Sequence, residues 1–223
     1  MKYLILFLIF TVDAYAQNRA PLPASRFQQL TGLKESDDSK SMWDIRYSRD
    51  AFIFGKAPAK FLADNYFYIP AGGEVLDMGM GEGRNAVFMA QKGFQVTGID
   101  ISSVAVKKAN LLAKEFNVKI KSVVASMNEY TIPEGSFDAI LCFYYVDRSL
   151  ISKMMKWLKP GGLLVFEAHT LKQRESFKKY QNEPVNYFLK SQELLSLFKD
   201  YQILKFEEPI YEKEFRSSII VKK

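Results

Sequence analysis

The residues best suited to chemistry are the run Asp77-Met78-Gly79-Met80-Gly81-Glu82-Gly83-Arg84, set between a short apolar run and a helix-like one. Glycines at such a junction allow a tight turn and close approach of a ligand to the backbone. Asp100 ends a second apolar run, at roughly the 20-residue spacing where an acid accepts hydrogen bonds from a ribose diol. Loop and acid together predict a site for an adenosine-like ligand. Asp77 has two readings: it borders that ligand, or it caps the helix that follows.

Two ligand classes compete for such a loop. The dinucleotide pattern G-x-G-x-x-G would put its last glycine at position 84, which is Arg84, while the third glycine is Gly83. A pyrophosphate would be repelled by Asp77 and Glu82. S-adenosylmethionine has no phosphate and carries a sulfonium and an ammonium against one carboxylate, so an acidic mouth suits it. Opposite charges at ~4 Å gain several kcal/mol at intermediate dielectric before desolvation. This favours S-adenosylmethionine over a nicotinamide cofactor.

A second group of residues lies further along. Cys142-Phe143-Tyr144-Tyr145 ends an apolar run, and the two tyrosines either line an aromatic acceptor pocket or pack half-buried near its mouth. His169, the only histidine, follows another such run. Its unperturbed pKa of ~6.5 suits a general base, and the plainer reading is a hydrogen-bonded histidine at a strand end. Arg148 either meets an acidic acceptor or pairs with a surface carboxylate. Thr170 to Leu189 reads as an acceptor-side lid.

Alternating elements must position these groups. Glu74–Asp77, Phe94–Asp100, Lys119–Val124, Phe137–Phe143 and Leu163–Phe166 read as strands, with Lys159-Pro160-Gly161-Gly162 as a turn. Asn85–Gln91, a helix capped by Ser102 with Ala105, Ala109, Leu112 and Phe116 on one face, Leu150–Leu158 and Ser191–Phe198 read as helices. The pattern predicts a Rossmann-like, doubly wound α/β fold with a mostly parallel sheet and the ligand at the strands' carboxyl ends. Tyr201–Phe206 and Phe215–Val221, with no helix between them, predict a C-terminal antiparallel hairpin at the sheet edge. Residues 39–70 are expected to fold over the mouth.

Composition narrows the classes further. The 223 residues suffice for one α/β domain, and 48% hydrophobic with 25% charged residues is ordinary for a globular chain. The net charge of +6 is spread along the sequence, which disfavours nucleic acid as a partner. Lys107-Lys108 and Lys178-Lys179 read as solvated helix faces. The single cysteine, Cys142, reads as a small core residue, and no Cys/His spacing predicts a metal site. Residues 1–16 open with Lys2, an apolar run and Ala14-Tyr15-Ala16, the pattern of a secretory signal. Residues 17–38 read as a linker and 39–223 as the domain. An exported or periplasmic location follows from the leader. A membrane anchor with the domain facing the cytoplasm is the alternative, because S-adenosylmethionine is made inside cells.

Glu74-Val75-Leu76-Asp77-Met78-Gly79-Met80-Gly81-Glu82-Gly83 and Gly98-Ile99-Asp100-Ile101-Ser102 resemble the first two motifs of class I S-adenosylmethionine-dependent methyltransferases. Ser136-Phe137-Asp138-Ala139-Ile140 and Leu158-Lys159-Pro160-Gly161-Gly162-Leu163-Leu164 resemble the later ones. Trp43-Asp44-Ile45-Arg46-Tyr47 and Phe54-Gly55-Lys56-Ala57-Pro58 resemble the opening of the tellurite-resistance-type subgroup. The resemblance implies a seven-stranded sheet and a cofactor bordered by Asp77, Gly79 and Gly81. It puts Asp100 on the ribose, Ile101 on the adenine, and Ser126-Met127 where family members often place an acid and a small residue. Phe143 belongs to the same cofactor set, and Tyr47 and Gly55 cover it. The Asn/Asp-Pro-Pro-aromatic tetrad of enzymes that methylate adenine or glutamine is missing, so the expected acceptor is a small molecule, with Tyr144 and His169 as the catalytic candidates. A non-catalytic S-adenosylmethionine-binding module and an NAD-dependent oxidoreductase are the rival readings.

Overall fold

In the computed structural model, residues 35–211 and 214–223 are described. The leader reading (residues 1–16) and the first part of the linker reading lie outside them. α1 (Glu35–Tyr47) begins inside the segment read as linker, and α2 (Lys60–Asn65) follows. Next come β1 (Glu74–Met78), α3 (Arg84–Gln91), β2 (Gln95–Asp100) and α4 (Ser103–Glu115). β3 (Lys121–Val124) and β4 (Phe137–Phe143) lead to α5 (Ile151–Trp157), which runs straight into the long β5 (Leu158–His169). α6 (Leu171–Ser176), α7 (Glu193–Leu197), β6 (Gln202–Glu207), β7 (Ile210–Tyr211) and β8 (Glu214–Lys222) complete the chain.

The strands form one sheet in the order β3-β2-β1-β4-β5-β8-β6, with the short β7 paired to β8. β1 to β5 pair in parallel, and β8 is antiparallel to both β5 and β6. The Rossmann-like α/β expectation therefore holds. The chain starts at β1, winds out through β2 to β3, then crosses back to β4. The crevice between the ends of β1 and β4 is the point where ligands bind in such sheets. The C-terminal strands differ in one respect from a simple edge hairpin. β8 lies inside the sheet, between β5 and β6, and its Ile219, Ile220 and Val221 are fully buried.

Alternation along the strands builds a core on each face. Val75, Ala139, Leu141 and Val165 pack on one side with Phe61 and Leu62 of α2, and Leu76, Met78, Ile140 and Cys142 pack on the other with Met154 and Trp157 of α5. A parallel sheet covered on both sides needs such continuous apolar strands. Cys142, 1% exposed, is the core residue expected. Ser102 caps α4 as expected, its hydroxyl accepting the Ala105 amide at 3.1 Å.

Three local expectations change. Phe116 is 41% exposed because α4 ends at Glu115, which leaves it at the C-cap, and Ala113 takes its place in the buried stripe. Lys159 to Gly162 form a bulge inside β5: the pairing jumps from Phe137–Leu158 to Ala139–Leu163, with Gly161 at φ +78°. β3 starts at Lys121 because the preceding chain closes the end of α4, with the Val118 amide on the Ala113 carbonyl.

Candidate active site

The glycine loop leaves β1 and enters α3 with Gly79, Gly81 and Gly83 at φ +62°, +55° and +85°, a region that favours glycine. Gly83 also lets α4 approach, since a Cβ there would lie 2.7 Å from Ala109 Cβ. Asp100, at the end of β2, is 8% exposed and braces the loop. One of its oxygens accepts the Gly81 amide and the other the Ser102 amide, both at 2.8 Å. Burial raises its pKa against these two hydrogen bonds. Each oxygen keeps a second lone pair with which to meet a hydroxyl.

Asp77 is buried at the end of β1, and both sequence readings apply to it. The Ala86 amide in the first turn of α3 bonds its carboxylate, while Oδ2 is buried with no hydrogen-bond partner among the described residues. Burial pushes its pKa up to about 7, against the opposing charge of Arg84. A buried oxygen without a partner is costly and rare, and beside a ligand loop it points to a cationic or hydrogen-bond-donating ligand group.

Of residues 39–70, the stretch from Asp44 to Ile53 covers the mouth, while Ala59, Phe61, Leu62 and Ile69 pack on a face of the sheet instead. Tyr47, at the end of α1, is 5% exposed and lies so close to the loop that a Cβ on Gly81 would sit 2.8 Å from its hydroxyl. Its ring stacks on Trp43, and burial and the nearby Asp100 raise its pKa. Asp44 fastens α1 to α4, accepting from the Ser102 hydroxyl at 2.6 Å and the Val104 amide at 3.2 Å. Glu82 fastens the next stretch: it accepts the Ile53 amide and pairs with Lys108 Nζ at 2.7 Å. Lys108 in turn donates to the carbonyls of Arg49 and Ala51. Two expectations are corrected here. Lys108 is a largely buried clamp rather than a solvated face, and its ammonium neutralises Glu82, which leaves Asp77 and Asp100 as the acids at the loop. Gly55 lies in an exposed turn at φ +70°, and a Cβ added there would have nothing within 4 Å.

The remaining cofactor candidates divide. Ile101 is half-buried directly after Asp100. Ser126 is half-buried, and its carbonyl accepts the Glu129 and Tyr130 amides. Met127 packs in the core with Leu76, Met78 and Ile99, and Phe143 in the opposite core with Phe61 and Leu62. Tyr145, paired with Tyr144 in the sequence reading as an acceptor-pocket residue, instead lies against the glycine loop, 3.2 Å from where a Cβ on Gly79 would be. With Tyr47, which lies as near to Gly81, it covers the glycine loop.

The ends of β4, β5 and β8 gather a second, polar cluster. Tyr144, held at φ +59°, donates its hydroxyl to Glu167 Oε1 at 2.7 Å. Glu167 is 1% exposed, and its other oxygen accepts from the Ser218 hydroxyl and pairs with Arg216. His169 lies between the rings of Tyr144 and Tyr180, at 4.7 and 5.2 Å. Burial lowers its pKa to about 4, so it is neutral at pH 7, and its Nδ1 is buried without a hydrogen-bond partner among the described residues. Tyr180 belongs to the segment read as a lid. That segment leaves and rejoins the fold side by side, through the Leu171 amide on the Leu189 carbonyl and the Leu189 amide on the His169 carbonyl. Arg148 pairs with Glu193 at 2.5 Å and donates to the carbonyls of Asn186 and Phe188, so it is structural. A cavity of about 510 Å³ opens away from the glycine loop, against Thr170, Phe206, Phe215 and Arg216.

Sequence reasoning missed Asp44, the Glu82–Lys108 clamp and Glu167. Each acts across a long stretch of chain, so no local spacing marks it. Among the described residues no group of His, Cys, Asp or Glu is arranged to hold a metal ion.

Comparison with known proteins agrees with this geometry. The family described as "Methyltransferase domain" matches residues 75–162. Curated relatives include a ubiquinone biosynthesis O-methyltransferase of Xanthomonas axonopodis pv. citri, 38% identical over 101 residues, which are 43% of this chain and 42% of the relative. The corresponding enzyme of Xanthomonas oryzae pv. oryzae is 37% identical over 100 residues. The match thus spans less than half the length of these relatives. TehB from Haemophilus influenzae shares the fold at TM-score 0.59 and 18% identity, covering 82% of this chain and 66% of that one. A SAM-dependent methyltransferase from Methanosarcina mazei does so at TM-score 0.57 and 21% identity, covering 75% of this chain and 98% of that one. Residues 75–162 are thus similar to the methyltransferase domain family, and the chain shares the fold of these solved structures.

Proposed function

We propose that this chain is a methyltransferase that uses S-adenosylmethionine and acts on a small-molecule acceptor. The observation that carries this is the unpartnered, buried Oδ2 of Asp77 at the mouth of the glycine loop. A pyrophosphate would be repelled by that oxygen, and an ammonium would satisfy it. Asp100 accepts the ribose hydroxyls with its spare lone pairs, and Ile101 lies against the adenine. The curated relatives' name makes an oxygen nucleophile the acceptor class to test first.

S-adenosylmethionine supplies a methyl carbon already activated by its sulfonium. The protein's own work is alignment and exclusion of water. Tyr47 and Tyr145 close over the loop, and Tyr144, His169 and Tyr180 form the wall where the acceptor lies. As the acceptor's heteroatom forms its bond to the methyl carbon, the bond to sulfur breaks and the acceptor's proton leaves. His169 is neutral, and its buried Nδ1 would take that proton once the acceptor reaches it. Its low basicity fits an acceptor that is itself acidic.

Incubation of the chain with methyl-labelled donor and a panel of catechols, thiols and small oxyanions tests this. Label transfer that Tyr144→Phe and His169→Gln reduce supports the reading. Donor binding without transfer to any acceptor identifies a non-catalytic binding module instead. Export through residues 1–16 belongs to the same proposal and is tested by locating the chain in cell fractions. No helix among the described residues is long and apolar enough to cross a membrane.

A further inference from the structure

Two different parts of the chain cover the two halves of the site. Over the glycine loop lies α1, with Tyr47 against Gly81 and Asp44 bonded to the start of α4. Against the acceptor wall lies the segment 170–189, with the Tyr180 ring 5.2 Å from that of His169. An ion pair joins the two covers: Arg46 donates to Glu183 Oε1 at 3.3 Å. Both ends of that pair are fixed. The Arg46 guanidinium lies over the rings of Trp43 and Phe54, 5.0 and 5.8 Å from their centroids, and Arg46 is next in sequence to Tyr47. Glu183 closes a turn with Tyr180, its amide on the Tyr180 carbonyl at 3.0 Å. Arg174 pins the same turn by donating to the carbonyls of Gln181 and Glu183. A shift of Glu183 therefore carries Tyr180 with it. Tyr47, Arg46, Glu183, Tyr180 and His169 form a continuous run from the glycine loop to the acceptor wall. The paired side chains are 24% and 23% exposed, and a pair so open to solvent adds little to stability. What a stacked guanidinium and a pinned turn supply is a fixed geometry.

We propose that Arg46 is a positioning residue of the acceptor wall: through Glu183 it holds Tyr180 against His169 and ties the closure of that wall to the cover over the glycine loop. The second half of this rests on the S-adenosylmethionine reading of the cleft. A donor seated on the loop lies under Tyr47 and settles α1, and the ion pair passes that restraint to the turn that carries Tyr180. The coupling is reciprocal, so an acceptor held between Tyr180 and His169 strengthens donor binding by the same factor. Its use is a wall that is firm when the donor is loaded, with water kept from the activated methyl group.

Because His169 is the only histidine, its reactivity reads the state of the wall without an acceptor. Diethyl pyrocarbonate acylates a neutral imidazole, and the ultraviolet absorbance of the product follows the rate. His169 lies between the rings of Tyr144 and Tyr180, so that rate reports how often the Tyr180 turn opens. Wild type, Arg46→Gln, Glu183→Gln and the double variant are compared as full chains, with and without S-adenosylhomocysteine at a concentration that calorimetry shows to be saturating. Each single variant is expected to react fivefold or more faster than wild type, and the double variant no faster than the singles. S-adenosylhomocysteine is expected to slow the reaction in wild type and not in the variants. Rates equal to wild type in both single variants, or single effects that multiply in the double variant, overturn the proposal. An effect of Arg46→Gln alone marks a structural role within α1 and also overturns it. Equal protection by S-adenosylhomocysteine in all four proteins shows direct shielding and overturns the coupling. Failure of wild type to bind S-adenosylhomocysteine overturns the donor reading and the coupling with it, while the rates without ligand still decide whether the pair holds Tyr180. Unchanged melting temperatures show that the variants are folded, and Glu183→Gln, in a turn on the surface, decides the matter if Arg46→Gln does not fold.

Discussion

Asp77→Asn separates ligand binding from stability, because the same burial that readies the carboxylate for a ligand penalises it in the empty protein. Burial pushes its pKa up to about 7, against 3.8 for a free side chain. Below about pH 4 the group is protonated in both the folded and the unfolded chain, and there is no penalty. Between about pH 4 and 7 the unfolded chain gives up the proton while the folded chain keeps it, so stability falls as pH rises. Above about pH 7 the loss is constant. At 1.36 kcal/mol per unit, the full shift sets an upper bound of ~4 kcal/mol. Asparagine keeps an acceptor for the Ala86 amide but adds a buried N–H donor, which costs roughly 1–3 kcal/mol at every pH. The signature of Asp77 is therefore the change with pH. Between pH 5 and pH 8, Asp77→Asn should gain about 1–3 kcal/mol on wild type in urea unfolding. Its affinity for S-adenosylmethionine should drop at the same time. Parallel stability profiles for the two proteins from pH 5 to pH 8 would refute the buried, unpartnered carboxylate.

Removing one half of the Glu82–Lys108 pair, as in Lys108→Met, leaves a carboxylate that is 3% exposed without its cation. A loss of about 3–5 kcal/mol in denaturant unfolding is expected, with faster proteolysis of the Arg49–Ile53 stretch that Lys108 holds. In Gly98→Ala the new methyl group would lie 2.1 Å from Met80 Sδ, so Met80 must shift. A loss of roughly 1–3 kcal/mol is expected by thermal unfolding, and Met80→Ala in the same chain should recover part of it. The Cys142 thiol is buried and its pKa pushed up, so thiol reagents should label it only at the rate of unfolding. With an acceptor in hand, an inflection of turnover near pH 7 should come from Asp77 and vanish in Asp77→Asn, while His169→Gln leaves it in place, because burial has moved His169 down to about 4.

The fold was readable because its main elements are local. The apolar runs at Val75–Leu76, Val96–Ile99 and Ile140–Phe143 are too short for helices, and glycines or a capping serine separate them from helical patterns. The loop from Asp77 to Arg84 was readable for the same reason, since backbone at positive φ demands glycine and the following helix demands a start signal. What escaped depends on tertiary contact. Nothing near Lys108 shows that it reaches back to Arg49, Ala51 and Glu82, and its Lys107-Lys108 pairing suggested a solvated face. Glu167 lies in a strand whose neighbours are apolar, and only the pairing of β5 with β8 brings it to Ser218 and Arg216. Tyr144 and Tyr145 are adjacent in sequence yet serve opposite sides of the sheet, one against Glu167 and the other against Gly79. Both follow the end of β4, and the positive φ of Tyr144 turns the chain between them.

Calorimetric titration of the folded chain with S-adenosylmethionine, beside Asp100→Ala, tests the central claim most directly. Micromolar binding that the substitution weakens tenfold or more, about 1.4 kcal/mol, is the predicted result. Absence of heat from wild type, with no displacement by S-adenosylhomocysteine, would contradict it.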